Sequence, residues 1–134
     1  MTKNIYYRFY SKGAEYEEGY KKYNEVVKKI ILHCDLNCFY ASVEMLYHPE
    51  LRNIPMAVAG DPENRHGIIL AKNVLAKKKG VKTAEAIFEA KEKCPELLIR
   101  RPDYDSYKYY SNKVRDLYYE YTDRIEAFGA DECW

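Results

Sequence analysis

The stretch Ile30–Glu44, IILHCDLNCFYASVE, constrains this chain more than any other. It opens on an apolar run, Ile30-Ile31-Leu32, and reaches a single carboxylate at Asp35. Two aromatics follow, Phe39 and Tyr40, and Ala41-Ser42-Val43-Glu44 reads as the start of a helix. A strand that stops on an Asp beside a helix start holds that carboxylate at the edge of a sheet. The helix start offers free backbone N–H groups and the positive end of the helix dipole, both of which favour phosphate. A carboxylate next to such a start outlines a nucleotide site. The far end of the chain supplies a matching acidic piece, Asp131-Glu132.

The 134 residues suffice for one domain and one core. With 47% apolar and 32% charged residues the composition is that of an ordinary globular domain. A net charge of +1 gives no overall electrostatic pull on nucleic acid, so any such surface is expected to be local or to lie in sequence outside these residues. The four cysteines, Cys34, Cys38, Cys94 and Cys133, form no CxxC pair. There is no signal-peptide pattern and no long apolar segment. Reduced thiols and a cytoplasmic location are expected, without membrane association.

Residues 1–28 are rich in Tyr, Lys and Glu. Tyr16, Tyr20, Tyr23 and Val27 recur at helical spacing, so a partly helical leader is expected, with its helix near 14–28. Residues 29–35 read as a buried strand, and 38–47 as a helix stopped at His48-Pro49. Residues 55–59 and 67–71 read as a strand hairpin around a turn-rich loop. Two short helices follow. One runs from Asn73 to Lys79 and ends at Gly80; the other is capped by Thr83 and runs from Ala84 to Lys93. Leu97-Leu98-Ile99 is a strand.

Tyr107, Tyr110, Val114, Leu117, Tyr118 and Tyr121 then mark one apolar face of a helix over about 105–121, read as core. Asp103 or Asp105 caps it, and Lys113 and Arg115 lie on its wet side. Residues 124–128 form a strand, Gly129 a turn, and 131–134 a last strand.

The order is β-α-β-β-α-α-β-α-β-β, an α+β arrangement in which the first and last strands can lie side by side. That pairing brings Asp35 to Asp131 and Glu132. Like charges at close range repel unless a cation sits between them, and hard carboxylate ligands suit Mg²⁺. A zinc reading of His33, Cys34 and Cys38 is disfavoured, because neighbours on a strand alternate to opposite faces.

At these residues the sequence resembles a known family. Asp35-Leu36-Asn37-Cys38-Phe39-Tyr40-Ala41-Ser42-Val43-Glu44 is similar to the first catalytic motif of the Y-family (translesion) DNA polymerases, the DinB/UmuC or ImpB/MucB/SamB group. Gly129-Ala130-Asp131-Glu132-Cys133-Trp134 resembles the second motif, and Gly67–Ala90 the finger segment. Lys93-Cys94-Pro95 and Tyr107 with Ser111 also fit. The likeness covers roughly residues 29–134.

The resemblance implies a palm-type mixed or antiparallel sheet with packed helices and a small fingers subdomain. The palm would take about 29–38 and 103–134 and the fingers about 39–102, with the chain ending before a thumb and little finger. It implies template-directed DNA synthesis past lesions by two-metal nucleotidyl transfer, in DNA repair and SOS damage tolerance. Asp35, Asp131 and Glu132 would be catalytic and, with the Leu36 carbonyl, would hold two Mg²⁺ ions. Backbone N–H groups near Cys38 and Phe39 would meet the triphosphate. Tyr40 would fill the space of a ribose 2′-OH, and Lys77 would face the phosphates. Primer–template DNA and a deoxynucleotide would be the partners, with a sliding clamp reached through a C-terminal region. The 134 residues alone are expected to be inactive.

Two positions depart from the pattern. Val74 stands where the family often has a phosphate-binding Tyr, and Ala71 where it often has a Thr. Each lost contact weakens nucleotide binding by about 1–3 kcal/mol in a dry site. The alternative reading is a non-catalytic polymerase-like module that binds DNA or partners; the three intact acids favour catalysis. A nucleotide cyclase is disfavoured, because no Gly-Gly pair lies beside the acids.

Overall fold

The computed structural model of the protein describes residues 4–9, 30–60 and 67–134, with residues 4–9 and 30 as backbone. The expected helix over 14–28 and the loop at 61–66 lie outside the described residues.

The apolar run at 30–32 opens strand β2, Ile30–Asp35. It is flanked by β1, Asn4–Phe9, and β7, Glu132–Cys133, both antiparallel to it. With β6, Ala127–Phe128, they form a four-stranded sheet in the order β1-β2-β7-β6. Within the segment expected as a partly helical leader, residues 4–9 form a strand paired with β2. Unlike the buried strand expected at 29–35, β2 is partly open, and Leu32 is 43% exposed. Helix α4, Tyr104–Tyr119, places Tyr118 near its end against Cys34 of this strand.

After Asp35 the chain turns sharply. Cys38 takes a left-handed conformation (φ 54°) that few residues without glycine's freedom adopt. The turn is held by the Ser42 hydroxyl donating to the Asn37 carbonyl at 3.2 Å. Helix α1, Phe39–Tyr47, then buries Phe39, Ala41, Val43 and Glu44. Pro49 forbids its continuation, as expected, and His48 is the C-cap.

A second sheet has the order β4-β3-β5, from β3 (Met56–Ala59), β4 (Ile69–Lys72) and β5 (Leu98–Arg100). The expected hairpin is present: β3 and β4 are antiparallel, and β5 runs parallel to β3 on the other side. All four residues of β3 are fully buried. Alternation along the strand sends Ala57 and Ala59 into a cluster with Ile69, Ala76 and Ile87, and Met56 and Val58 into one with Phe39, Val43 and Tyr107. One short apolar strand thus divides two cores, which is why it carries no polar face.

Helix α2, Val74–Lys78, ends at Gly80, whose φ of 87° suits glycine. Its N-cap is Asn73, buried and fully engaged. The side-chain oxygen accepts from Ala76 N–H (2.9 Å) and Met56 N–H (3.2 Å). The amide nitrogen donates to the Leu51 (3.2 Å) and Ile54 (2.7 Å) carbonyls.

Helix α3, Ile87–Lys93, starts later than the Thr83 cap predicts. Residues 84–86 pair with β4 instead. Ala84 N–H donates to the Ile69 carbonyl (2.8 Å) and Ile69 N–H to the Glu85 carbonyl (2.9 Å), with Ala84 in a left-handed conformation. Strand-edge pairing outcompetes the local capping signal.

Helix α4 is capped by Asp103, which accepts from Ser106 N–H at 3.2 Å. Its aromatic stripe is core only in part. Tyr107 is 1% exposed, whereas Leu117 is 41% and Tyr121, past the helix end, 82%. Arg115 is partly exposed and donates to the Gly129 carbonyl at an exposed position.

Candidate active site

Two neighbouring strands deliver the three acids. Asp35, the last residue of β2, is registered opposite Glu132, the first of β7. Leu36 N–H donates to the Asp131 carbonyl at 3.1 Å. That bond makes the adjacent Asp35–Glu132 pair a non-hydrogen-bonded one, the position at which opposing side chains approach most closely. The turn that starts β7 uses Gly129 at φ 85°. The expected juxtaposition of Asp35 with Asp131 and Glu132 is therefore present.

The electrostatics follow from that crowding. Burial, and then the charges of Asp35 and Glu132, push the Asp131 carboxyl above the usual range. Glu132 also faces His33, whose Nε2 lies 3.8 Å from a carboxylate oxygen. The His33 ring stacks on Trp134, with centroids 4.2 Å apart and planes 8° from parallel. On the opposite face Cys34 pairs with Cys133 under Tyr118. His33 and Cys34 thus point to opposite faces, as strand alternation predicts.

Oxygen donors alone make up the triad, which suits a hard divalent cation in kind. Among the described residues no three His, Cys, Asp or Glu side chains converge closely enough to hold an ion. The acids sense one another without closing on a common point.

Tyr40 sits in the first turn of α1, half-buried, stacked on Tyr107 with centroids 4.2 Å apart and planes 13° from parallel. Tyr104 meets it edge-on at 6.3 Å. Burial and the nearby Asp131 charge push its hydroxyl up. It therefore stands next to the acids as a neutral aromatic wall.

A cavity of about 320 Å³ opens beside Asp35, lined by residues 35–39 on one side and by Asn73 and Val74 on the other. Cys38 and Phe39 line it; Tyr40, Asp131, Glu132 and Lys77 do not. Lys77 lies in the last turn of α2 and is exposed. Val74, at the cavity wall, presents methyl groups and no hydroxyl.

The contacts of Glu44 with Tyr107 and Arg100 are not legible in the sequence. Glu44 is 5% exposed and lies under Tyr40 on α1. Tyr107 Oη donates to Glu44 Oε1 at 2.7 Å, and Arg100 Nε to Glu44 Oε2 at 3.1 Å. The one available signal was a carboxylate inside the apolar run Ala41–Tyr47, on the face that also carries Tyr40.

Comparison with known proteins places this geometry. Residues 34–134 match the sequence model of the impB/mucB/samB family. A DNA polymerase IV of Acetivibrio thermocellus is 58% identical over 108 residues, 81% of this chain and 27% of its own length. DNA polymerase IV 1 of Bacillus subtilis is 44% identical over 104 residues, 78% of this chain and 25% of its own. Among solved structures, DinB from Sulfolobus solfataricus superposes with a TM-score of 0.70 at 26% identity, over 75% of this chain and 29% of that one. An insertion ternary complex of Dbh DNA polymerase gives 0.69 at 26% identity, over 75% and 30%. The chain spans about a quarter of the length of the curated relatives it matches.

Proposed function

The chain belongs to the impB/mucB/samB family, and on that premise we propose that it forms the nucleotide-holding part of a Y-family DNA polymerase. The activity is template-directed synthesis past lesions by nucleotidyl transfer, in DNA damage tolerance. The observation that carries this reading is the register that sets Asp35 opposite Glu132, with Asp131 next to it.

Asp35, Asp131 and Glu132, with the Leu36 carbonyl, would hold two Mg²⁺ ions. When bound, these supply the positive charge that acidifies a primer 3′-hydroxyl and neutralises a triphosphate. The chain's own groups do the rest. Backbone N–H groups at Cys38 and Phe39, at the start of α1, bind phosphate. The Tyr40 ring occupies the space a ribose 2′-OH needs. Lys77 on α2 supplies a positive charge to the phosphates. The palm takes about 29–38 and 103–134 and the fingers about 39–102, consistent with the division into two sheets.

Primer–template DNA and a deoxynucleotide are the partners, and a sliding clamp would be met outside these residues. Among the described residues no helix is long and apolar enough to cross a membrane. A net charge of +1 gives little grip on duplex phosphates, so the 134 residues alone are expected not to extend primers.

The test is primer extension past a lesion by the complete gene product. Wild type is compared with the double variant Asp131→Ala, Glu132→Ala. Loss of extension in the variant supports the reading. If both extend alike, or neither extends, the chain is a non-catalytic polymerase-like module.

A further inference from the structure

We propose that Tyr107 is a positioning residue for sugar selection: anchored through its hydroxyl to Glu44, it sets the plane of the Tyr40 ring. The inference rests on the reading that Tyr40 screens the sugar, and extends it to residues that never touch the nucleotide.

The geometry is a clamp between two helices. Tyr40 and Glu44 lie one turn apart on α1, so one face of the helix presents both to α4. Tyr107 engages both at once. Its ring lies nearly parallel to Tyr40, 4.2 Å away, and its hydroxyl reaches Glu44 at 2.7 Å. A stacked pair alone is free to slide and twist in its plane. The hydroxyl removes that freedom, because the ring is fixed at its far end.

The anchor itself is held. Glu44 Oε2 accepts from Arg100 Nε at 3.1 Å, and Arg100 Nη2 lies 3.0 Å from His48 Nε2. His48 Nδ1 is in turn 3.5 Å from Glu50. Groups from α1, α4 and β5 meet on one carboxylate that is 5% exposed. An apolar residue in its place would fill the space with less desolvation cost. What the carboxylate adds is direction. Burial, reinforced by Glu44, pushes the Tyr107 hydroxyl up, so it stays a proton donor throughout the working range.

The consequence is selective. Loosening Tyr107 lets the Tyr40 ring tilt away from the sugar, yet leaves Asp35, Asp131 and Glu132 on their strands. Sugar discrimination should move more than deoxynucleotide turnover. A residue that only fills the core would lower stability and leave the discrimination unchanged.

The experiment uses the complete gene product and reads the ratio of kcat/KM for ribonucleotide over deoxyribonucleotide. Tyr40→Ala tests the underlying reading and should raise the ratio most. Tyr107→Leu, which removes the ring, should raise it about threefold to tenfold, carried by a lower ribonucleotide KM. Tyr107→Phe keeps the ring and loses the anchor; it should raise the ratio at least about twofold. Glu44→Gln retains an acceptor and should stay near wild type, while Glu44→Leu should follow Tyr107→Phe. If Tyr107→Leu does not fold, Tyr107→Phe and the Glu44 pair decide. A ratio unchanged in the Tyr107 variants, with Tyr40→Ala raised, overturns the positioning role alone. A ratio unchanged in Tyr40→Ala overturns the sugar-screening reading, and this inference with it.

Discussion

Asp35 and Glu132 face each other across antiparallel strands at a non-hydrogen-bonded position, flanked by the Leu36–Asp131 backbone bond of 3.1 Å. This arrangement concentrates negative charge at the ends of the two middle strands, and the cost falls on Asp131.

Replacing Asp131 with Asn should therefore stabilise the metal-free chain. A carboxyl whose folded pKa lies above its ordinary 3.8 binds its proton more tightly when native. Its ionisation opposes folding as pH rises through that window, and the penalty is complete above the raised value. In a chelating buffer at neutral pH, Asp131→Asn should melt about 2–5 °C higher than wild type. The gap should close as pH falls toward 3.8. Differential scanning calorimetry across pH 3.5–8 checks the sign, and a gap that widens in acid would contradict it.

Asn73 ties the start of α2 to β3 and to the turn after α1 through four hydrogen bonds. Asn73→Ala removes the cap and leaves buried partners at Met56 N–H and Leu51 C=O. A loss of about 2–4 kcal/mol is expected in urea unfolding. Asn73→Asp, which keeps the acceptor and loses both donations, should fall between. Equal losses in the two variants would mean that the donated bonds to Leu51 and Ile54 carry the whole effect.

Much of this was legible in the residues because local signals agreed with tertiary demands. The Asp35 strand end, the Pro49 stop, the Gly80 cap and the Asp103 cap each rest on short-range sterics or hydrogen bonding. The element order allowed the strands at 29–35 and 131–134 to lie side by side, which brings their acids together. The failures all involve partners distant in sequence. Thr83 has good capping chemistry, but residues 84–86 found a better partner in β4. The buried partners of Glu44 could not be read locally, because Arg100 and Tyr107 stand 56 and 63 residues away. The strand at 4–9 lay within a Tyr- and Lys-rich segment whose clearest pattern was helical.

Tyr118 gives the alkaline limit. Burial, and then the neighbouring Cys34 and Cys133, push its hydroxyl up to about 12 from an ordinary 10.0. A tyrosine with a raised folded pKa contributes stability that is complete below 10 and is lost as pH climbs toward 12. The melting temperature should fall progressively over that window. Tyr118→Phe cannot ionise and should flatten part of the fall, with little change at pH 7. Parallel curves for wild type and variant would show that Tyr118 does not govern alkaline unfolding.

The Tyr107–Glu44 bond also makes a stability prediction that separates a directional contact from simple packing. Tyr107→Phe strands one oxygen of a buried carboxylate and should lose about 1–2 kcal/mol. Glu44→Leu strands the Tyr107 hydroxyl and frees Arg100, which is partly exposed and can reach water; about 2–3 kcal/mol is expected. Joined in one chain, the two substitutions remove both buried polar groups together. The double variant should then lose about 1 kcal/mol less than the sum of the single losses, because each change removes the group the other left unsatisfied. Urea titration of the four chains closes the cycle. Additive losses would mean that Tyr107 and Glu44 act independently, and that α1 and α4 are held by their apolar contacts alone.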